Sequence, residues 1–260
     1  MKEEIKNYGF QAPVITSDNH VLGGLGTPKK ILNPYRDWTE YTPPGEHQKK
    51  LIETSNCTQF ATISAAQTLE RMLHGKTKDY SERAVAIGSG NTITGNSPHR
   101  VAEWIRKNGL PTEDVLPFNE TIASWEEYMT PNPLTNSIIR QAKKFPHTLN
   151  HEWVFFGGTP EQKREKLWEA LQYSPLGVSV VAWQRDGKYY VKSFGQADTH
   201  WTLLVAGEYE KHWLIFDSYM DDNWYKELRW DYDFGFSKLY ILNSKITCWQ
   251  RLLRKLPFMV

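Results

Sequence analysis

The chain has 260 residues, a formal net charge of +1, 40% hydrophobic and 23% charged residues. That length is enough to bury a substantial core. The near-neutral balance gives no electrostatic case for nucleic acid or an anionic membrane as the main partner. Two cysteines, Cys57 and Cys248, are too few for a disulfide framework and point to a reducing setting. No run approaches the roughly 18 apolar residues of a membrane span, and residues 1–6 lack the apolar segment of a secretory leader. The expected location is cytoplasmic or inside a particle such as a virion.

In chain order, residues 1–36 are rich in turn formers (Gly23, Gly24, Gly26, Pro28, Pro34) and predict an extended arm lying on the main body. Ser55 and Asn56 are good N-cap types ahead of Cys57, and Phe60, Ile63, Ala66 and Leu69 continue at helical spacing. This predicts a helix from Cys57 to about His74. A second helix is expected from Pro98 to Lys107, ended by Asn108-Gly109, and a third from Pro160 to Gln172. The intervening stretch 88–97 is polar and glycine-rich. Strands are expected over 176–183, 188–192, 200–206, 213–217 and 238–242. Helices first and strands later predict an α+β fold of two lobes. The expected boundaries are 1–36 for the arm, 37–243 for the main domain (about 46–150 helical, about 151–243 strand-rich) and 244–260 for a basic amphipathic helical tail. The tail docks on the body in the simplest reading and contacts a protein partner in the next.

A thiol at a helix N-terminus meets the positive end of the helix dipole, which favours the thiolate. Cys57 is therefore the candidate nucleophile. His200 opens one strand and Asp217 ends the next. A hairpin through 207–212 sets both at one end of the sheet, where Asp217 can orient the imidazole toward Cys57. A cysteine nucleophile also needs donors for the developing oxyanion.

Several segments, in order from residue 37 to about 225, resemble the papain-like cysteine peptidases. Asp37-Trp38 and Thr42-Pro43 ahead of Cys57 resemble that family's approach to its nucleophile. Gly95-Asn96-Ser97-Pro98 and the helix after it resemble its glycine-containing cleft wall. Ser174 to Val180, Thr199 to Gly207 and Trp213 to Tyr219 resemble its core strand, its histidine strand and the segment bearing the histidine-orienting residue. The resemblance implies a helical lobe and an antiparallel, barrel-like β lobe with the cleft between them. It implies Cys57 as nucleophile, His200 as base and Asp217 in the place of an asparagine. Tyr219 then shields that contact, Trp224 stands where a second tryptophan is common, and Gly95, Asn96 and Ser97 bind an extended peptide by strand addition. The family's oxyanion glutamine lies six residues before the cysteine, where this chain has Leu51. Gln48 takes the role if three residues are inserted between them.

The function this implies is hydrolysis of a peptide or isopeptide bond in a peptide or protein substrate, through a thioester and without a cofactor. Asp217 leaves open an acyltransferase or transglutaminase-like enzyme, in which an amine replaces water. The absence of glutamine six residues before Cys57 leaves open an inactive structural or binding module. No metal site is expected. His147 and His151 are four apart, but Pro146 and Asn150 predict a loop there and no full ligand set accompanies them. Gly88-Ser89-Gly90 lacks the lysine and hydroxyl of a phosphate loop, and Asp221-Asp222-Asn223 lacks the spaced ligands of a calcium loop.

Overall fold

The computed structural model describes residues 7–17, 19–22, 30–193, 195–220 and 223–245. The expected tail helix, Cys248, parts of the arm and Asp221-Asp222 lie outside them.

Helix α1 (Cys57–His74) forms where the helical spacing predicts, and Gly75, at φ +71°, ends it by donating its N–H to Arg71 O. Phe60, Ile63, Ala65, Ala66 and Leu69 are buried, so this helix is enclosed on most sides. Asn56 is its N-cap residue, but its side chain does not cap. Instead, Asn56 Nδ2 donates to the Tyr128 hydroxyl and Oδ1 accepts from Asn91 Nδ2. Helix α2 (Glu82–Ser89) starts with the Ser81 hydroxyl accepting from Ala84 N–H. The sequence reading assigned no element to residues 82–87, and its polar, glycine-rich stretch 88–97 begins only at the last turn of this helix. Helix α3 (Pro98–Asn108) begins on a proline and stops at Gly109, as expected. Two short helices follow, α4 (Trp125–Tyr128) and α5 (Asn136–Ala142). Helix α6 (Pro160–Ala170) opens with a capping box between Thr159 and Gln162.

Among the described residues eight strands make one sheet: β1 (His147–Phe155), β2 (Leu176–Val180), β3 (Gln184–Asp186), β4 (Tyr189–Val191), β5 (His200–Glu208), β6 (His212–Phe216), β7 (Tyr225–Arg229) and β8 (Ser237–Ser244). Their order is β1-β8-β2-β5-β6-β7-β4-β3. Pairing is antiparallel except between β4 and β7. The fold is α+β: α1 to α5 precede the sheet and α6 lies between β1 and β2. The expected hairpin joins β5 to β6, with Glu208 opposite His212 and Leu203 opposite Phe216.

The loop expected around His147 and His151 is instead strand β1, paired along its length with β8. Residues four apart on a strand share a face. Here that face meets the helices: His147 Nε2 lies 3.2 Å from Glu70 of α1, and His151 Nε2 lies 3.1 Å from Glu103 of α3. The core joins the two halves around Trp38, Trp153, Trp201 and Trp213, all fully buried. Truncating any one to alanine costs about 3–5 kcal/mol. Helix α1 packs against β5.

Candidate active site

Cys57 is the first residue of α1 and fully buried. His200 is the first residue of β5, also fully buried, and its neighbour Trp201 directs its backbone N–H to the Cys57 sulfur. Asp217 follows β6. Its Oδ1 lies 2.5 Å from His200 Nε2. The other ring nitrogen, Nδ1, is buried without a hydrogen-bond partner. Three rings stand edge-on around the imidazole, those of Tyr8, Trp183 and Tyr219, at 5.5–5.8 Å between centroids.

Burial alone would raise the Asp217 carboxyl, but His200 and Lys226 outweigh it and hold it below the ordinary aspartate value. Lys226 is buried on β7, with its Nζ 3.0 Å from Asp217 Oδ2 and donating to Tyr219 O. The sequence reading missed Lys226. Its signal was a lysine in phase with Leu228 on the inward face of a strand, the burial pattern seen for β7.

The Cys57 thiol departs from the sequence expectation. Burial pushes it well above its ordinary value, and the negative charges of Asp217 and Glu53 add to that. The N–H groups of Trp201 and Thr58 act the other way without prevailing. The helix start alone does not favour a thiolate at a sulfur shut away from water and facing two carboxylates.

The arm runs along residues that flank the sulfur in sequence and in the sheet. Tyr8 N–H donates to Thr199 O at 2.8 Å, Asn96 N–H donates to Gly9 O at 3.0 Å, and Gln11 N–H donates to Asn96 O at 3.0 Å. Phe10 therefore pairs with Asn96 as a parallel bridge, and its ring stacks on Trp201 at 5.7 Å. Gln11 Nε2 reaches Gly95 O at 2.9 Å. Two glycines let the strands approach. A Cβ on Gly9 would fall 2.2 Å from Ser55 O, and one on Gly95 would fall 1.9 Å from Gly9 O. Asn96 thus pairs with the chain's own arm, while Gly95, whose backbone bonds go to Thr92, meets the arm through the Gln11 side chain. Ser97 is the residue before α3 and donates its N–H to Asn96 Oδ1.

Gln48 is fully buried beside the end of β6. Its Nε2 donates to Tyr8 O and to Glu53 Oε1, each at 3.0 Å, and its Oε1 accepts from the Ser218 hydroxyl at 2.8 Å. Leu51, six residues before Cys57, is 62% exposed and outside this network. Glu53, also missed by the sequence reading, accepts from Ser55 N–H at 3.1 Å and from the Tyr219 hydroxyl. Trp224 packs on His47 at 4.9 Å and accepts the Asp217 N–H on its carbonyl. Among the described residues no cluster of His, Cys, Asp and Glu has the makings of a metal site, and no helix is long and apolar enough to cross a membrane.

Solved structures with the same arrangement of elements are cysteine proteases. Xylellain, a cysteine protease from Xylella fastidiosa, is similar over 95% of this chain and 99% of its own, with TM-score 0.65 and 16% identity. The digestive procathepsin L2 proteinase from Tenebrio molitor larval midgut matches over 91% of this chain and 78% of its own, with TM-score 0.65 and 15% identity. The bromelain protease from Ananas comosus, in complex with the E64 inhibitor, matches over 78% and 96%, with TM-score 0.60 and 16% identity. The fold is papain-like. No protein-family model and no curated protein sequence matches the chain. At such identities the likeness is one of fold, and the chemistry of the papain-like cleft rests on its own residues.

Proposed function

We propose that the protein is a cysteine peptidase that hydrolyses peptide or isopeptide bonds, held latent by its own N-terminal arm. The observation that carries this reading is the imidazole of His200, pinned through Nε2 to Asp217 with Nδ1 buried and unpartnered, one residue before Trp201, whose backbone N–H acts on the Cys57 thiol. In the proposed reaction the Cys57 thiol gives its proton to His200 Nδ1 and the sulfur attacks the substrate carbonyl. The tetrahedral oxyanion accepts hydrogen bonds from the Cys57 backbone N–H and Gln48 Nε2. His200 then protonates the leaving amine as the C–N bond breaks, leaving a thioester. Water, deprotonated by His200, releases the acid and restores the thiol. Asp217 fixes the imidazole tautomer and orientation, and Lys226 keeps Asp217 ionised.

Gly95 and Asn96 would pair with an extended substrate through the backbone groups that now bind the arm. Gln48 Nε2 now binds Tyr8 O, so a substrate carbonyl would have to displace the arm.

The test is labelling by an epoxide thiol probe, with hydrolysis of fluorogenic peptides, in the full-length protein and in Gly9→Ala, which dislodges the arm. The expected result is labelling at Cys57 that is faster in Gly9→Ala, lost in Cys57→Ala and strongly slowed in His200→Ala. A folded Gly9→Ala protein that neither labels nor cleaves would overturn the proposal.

A further inference from the structure

We infer that Glu53 is a positioning residue that decides which end of the Gln48 amide faces the carbonyl under attack and ties that amide to Tyr219. Its catalytic consequence rests on the peptidase reading above, whereas its geometry does not. An amide side chain turned by 180° keeps its shape but exchanges a donor for an acceptor. An oxyanion site needs the donor. Ser218 alone does not choose, because a hydroxyl at 2.8 Å from the amide oxygen serves as well by accepting from an amide nitrogen. Glu53 does choose, because an ionised carboxylate only accepts. It lies 3.0 Å from Gln48 Nε2, so the turned amide would set two acceptor oxygens against each other at the fully buried Gln48 side chain.

With one Nε2 hydrogen on Glu53, the other points to Tyr8 O, the carbonyl now held in the cleft. Glu53 is itself fixed by the Ser55 N–H and the Tyr219 hydroxyl, and the Tyr219 ring stands edge-on to His200 at 5.7 Å. One carboxylate thus links the oxyanion donor to a ring that walls the histidine. Its charge faces both the Cys57 sulfur and the developing oxyanion. The residue that would best keep the orientation without that charge is glutamine, which retains an acceptor for Gln48 and Ser55.

The first readout needs no turnover. In the full-length chain, the Gln48 side-chain amide is followed by NMR and assigned by its loss in Gln48→Leu. Glu53→Ala is expected to move one of its two proton signals upfield and to speed its solvent exchange about tenfold. Glu53→Gln keeps both signals near their places. The second readout places the same changes in the Gly9→Ala chain. There, Glu53→Ala lowers kcat about tenfold with KM nearly unchanged, a part of the loss expected for removing an oxyanion donor. Glu53→Gln restores kcat to within about threefold and shifts thiol labelling to lower pH. Should Glu53→Ala not fold, Tyr219→Phe frees one carboxylate oxygen and gives a smaller change of the same kind. Gln48 signals indifferent to Glu53→Ala, or Glu53→Gln behaving like Glu53→Ala, would overturn the inference. A parent that never turns over removes the peptidase reading and leaves the NMR result to decide Glu53.

Discussion

The Asp217 carboxylate has two partners that differ in how they were found. His200 comes from the neighbouring strand of a hairpin visible in the sequence, whereas Lys226 comes from β7, which the sequence reading did not see. A buried carboxylate between an imidazole and an ammonium is stable only as a set, because removing one partner leaves charge in a poorly solvating interior. Lys226→Met is therefore expected to destabilise the fold by about 3 kcal/mol, read as a lower urea midpoint with unchanged slope. It is also expected to raise the pH at which Asp217 ionises, seen as a shift in the acid limb of thiol labelling. Asp217→Asn keeps an acceptor for His200 but leaves Lys226 without its countercharge. A stability loss of similar size is expected, with the labelling rate falling less than in His200→Ala.

At the scale of elements, the arm and strand β1 carry the consequences that periodicity could not foresee. The arm segment with Tyr8, Gly9 and Phe10 has no regular pattern, and its conformation is set by the cleft it fills. Gly9→Ala tests this directly. The residue has φ +109° and no room for a Cβ against Ser55 O, so the alanine cannot keep the arm seated. Labelling of Cys57 is expected to rise at least about tenfold, together with a lower thermal midpoint, because unseating the arm exposes Phe10, which is buried in the core against Trp201. Unchanged labelling in a folded Gly9→Ala protein would show that the arm does not control access to the sulfur. Pro146 and Asn150 pointed to a loop around His147 and His151, yet His147, Leu149 and His151 alternate inward along strand β1. It forms because β8 supplies a pairing partner along its whole length and the helices supply carboxylates for its two histidines.

The whole molecule responds to pH from both sides. Burial, with the neighbouring Asp79, raises Glu46 to about 7. Burial likewise raises Glu113 to about 7, against the Phe118 N–H and with Asp79 and Glu46 adding to it. A carboxyl raised on folding stabilises most below its unfolded value, near 4.5, and loses that contribution as pH climbs through about 7. His151 behaves oppositely: burial and the adjacent Lys238 lower it to about 3 despite Glu103. The folded state then binds this proton less well than the unfolded chain, so stability is lost as pH falls from about 6.5 toward 3. Thermal melts should show Glu113→Gln improving relative to the parent between pH 4 and pH 8. His151→Gln should improve relative to the parent in the reverse direction, from pH 8 to pH 4. A stability difference that does not change with pH in either variant would mean that the group's ionisation is not coupled to folding.

The sequence by itself determined what depends on near neighbours in the chain. It set the extent of α1 through its apolar spacing, the stop of α3 at Gly109, the β5–β6 hairpin, and hence the expectation that His200 and Asp217 share one end of a sheet. It also supplied the α+β order and the choice of Cys57, His200 and Asp217. Tertiary structure alone decided what depends on residues far apart in sequence. That includes Gln48 buried and Leu51 exposed, Glu53 and Lys226 beside the catalytic candidates, the arm laid along Asn96, Thr199 and Trp201, and the direction of the thiol's pKa. The physical reason is that periodicity reports which face of an element is apolar. The charge, burial and hydrogen-bond partners of a side chain are set by elements that arrive from elsewhere in the chain.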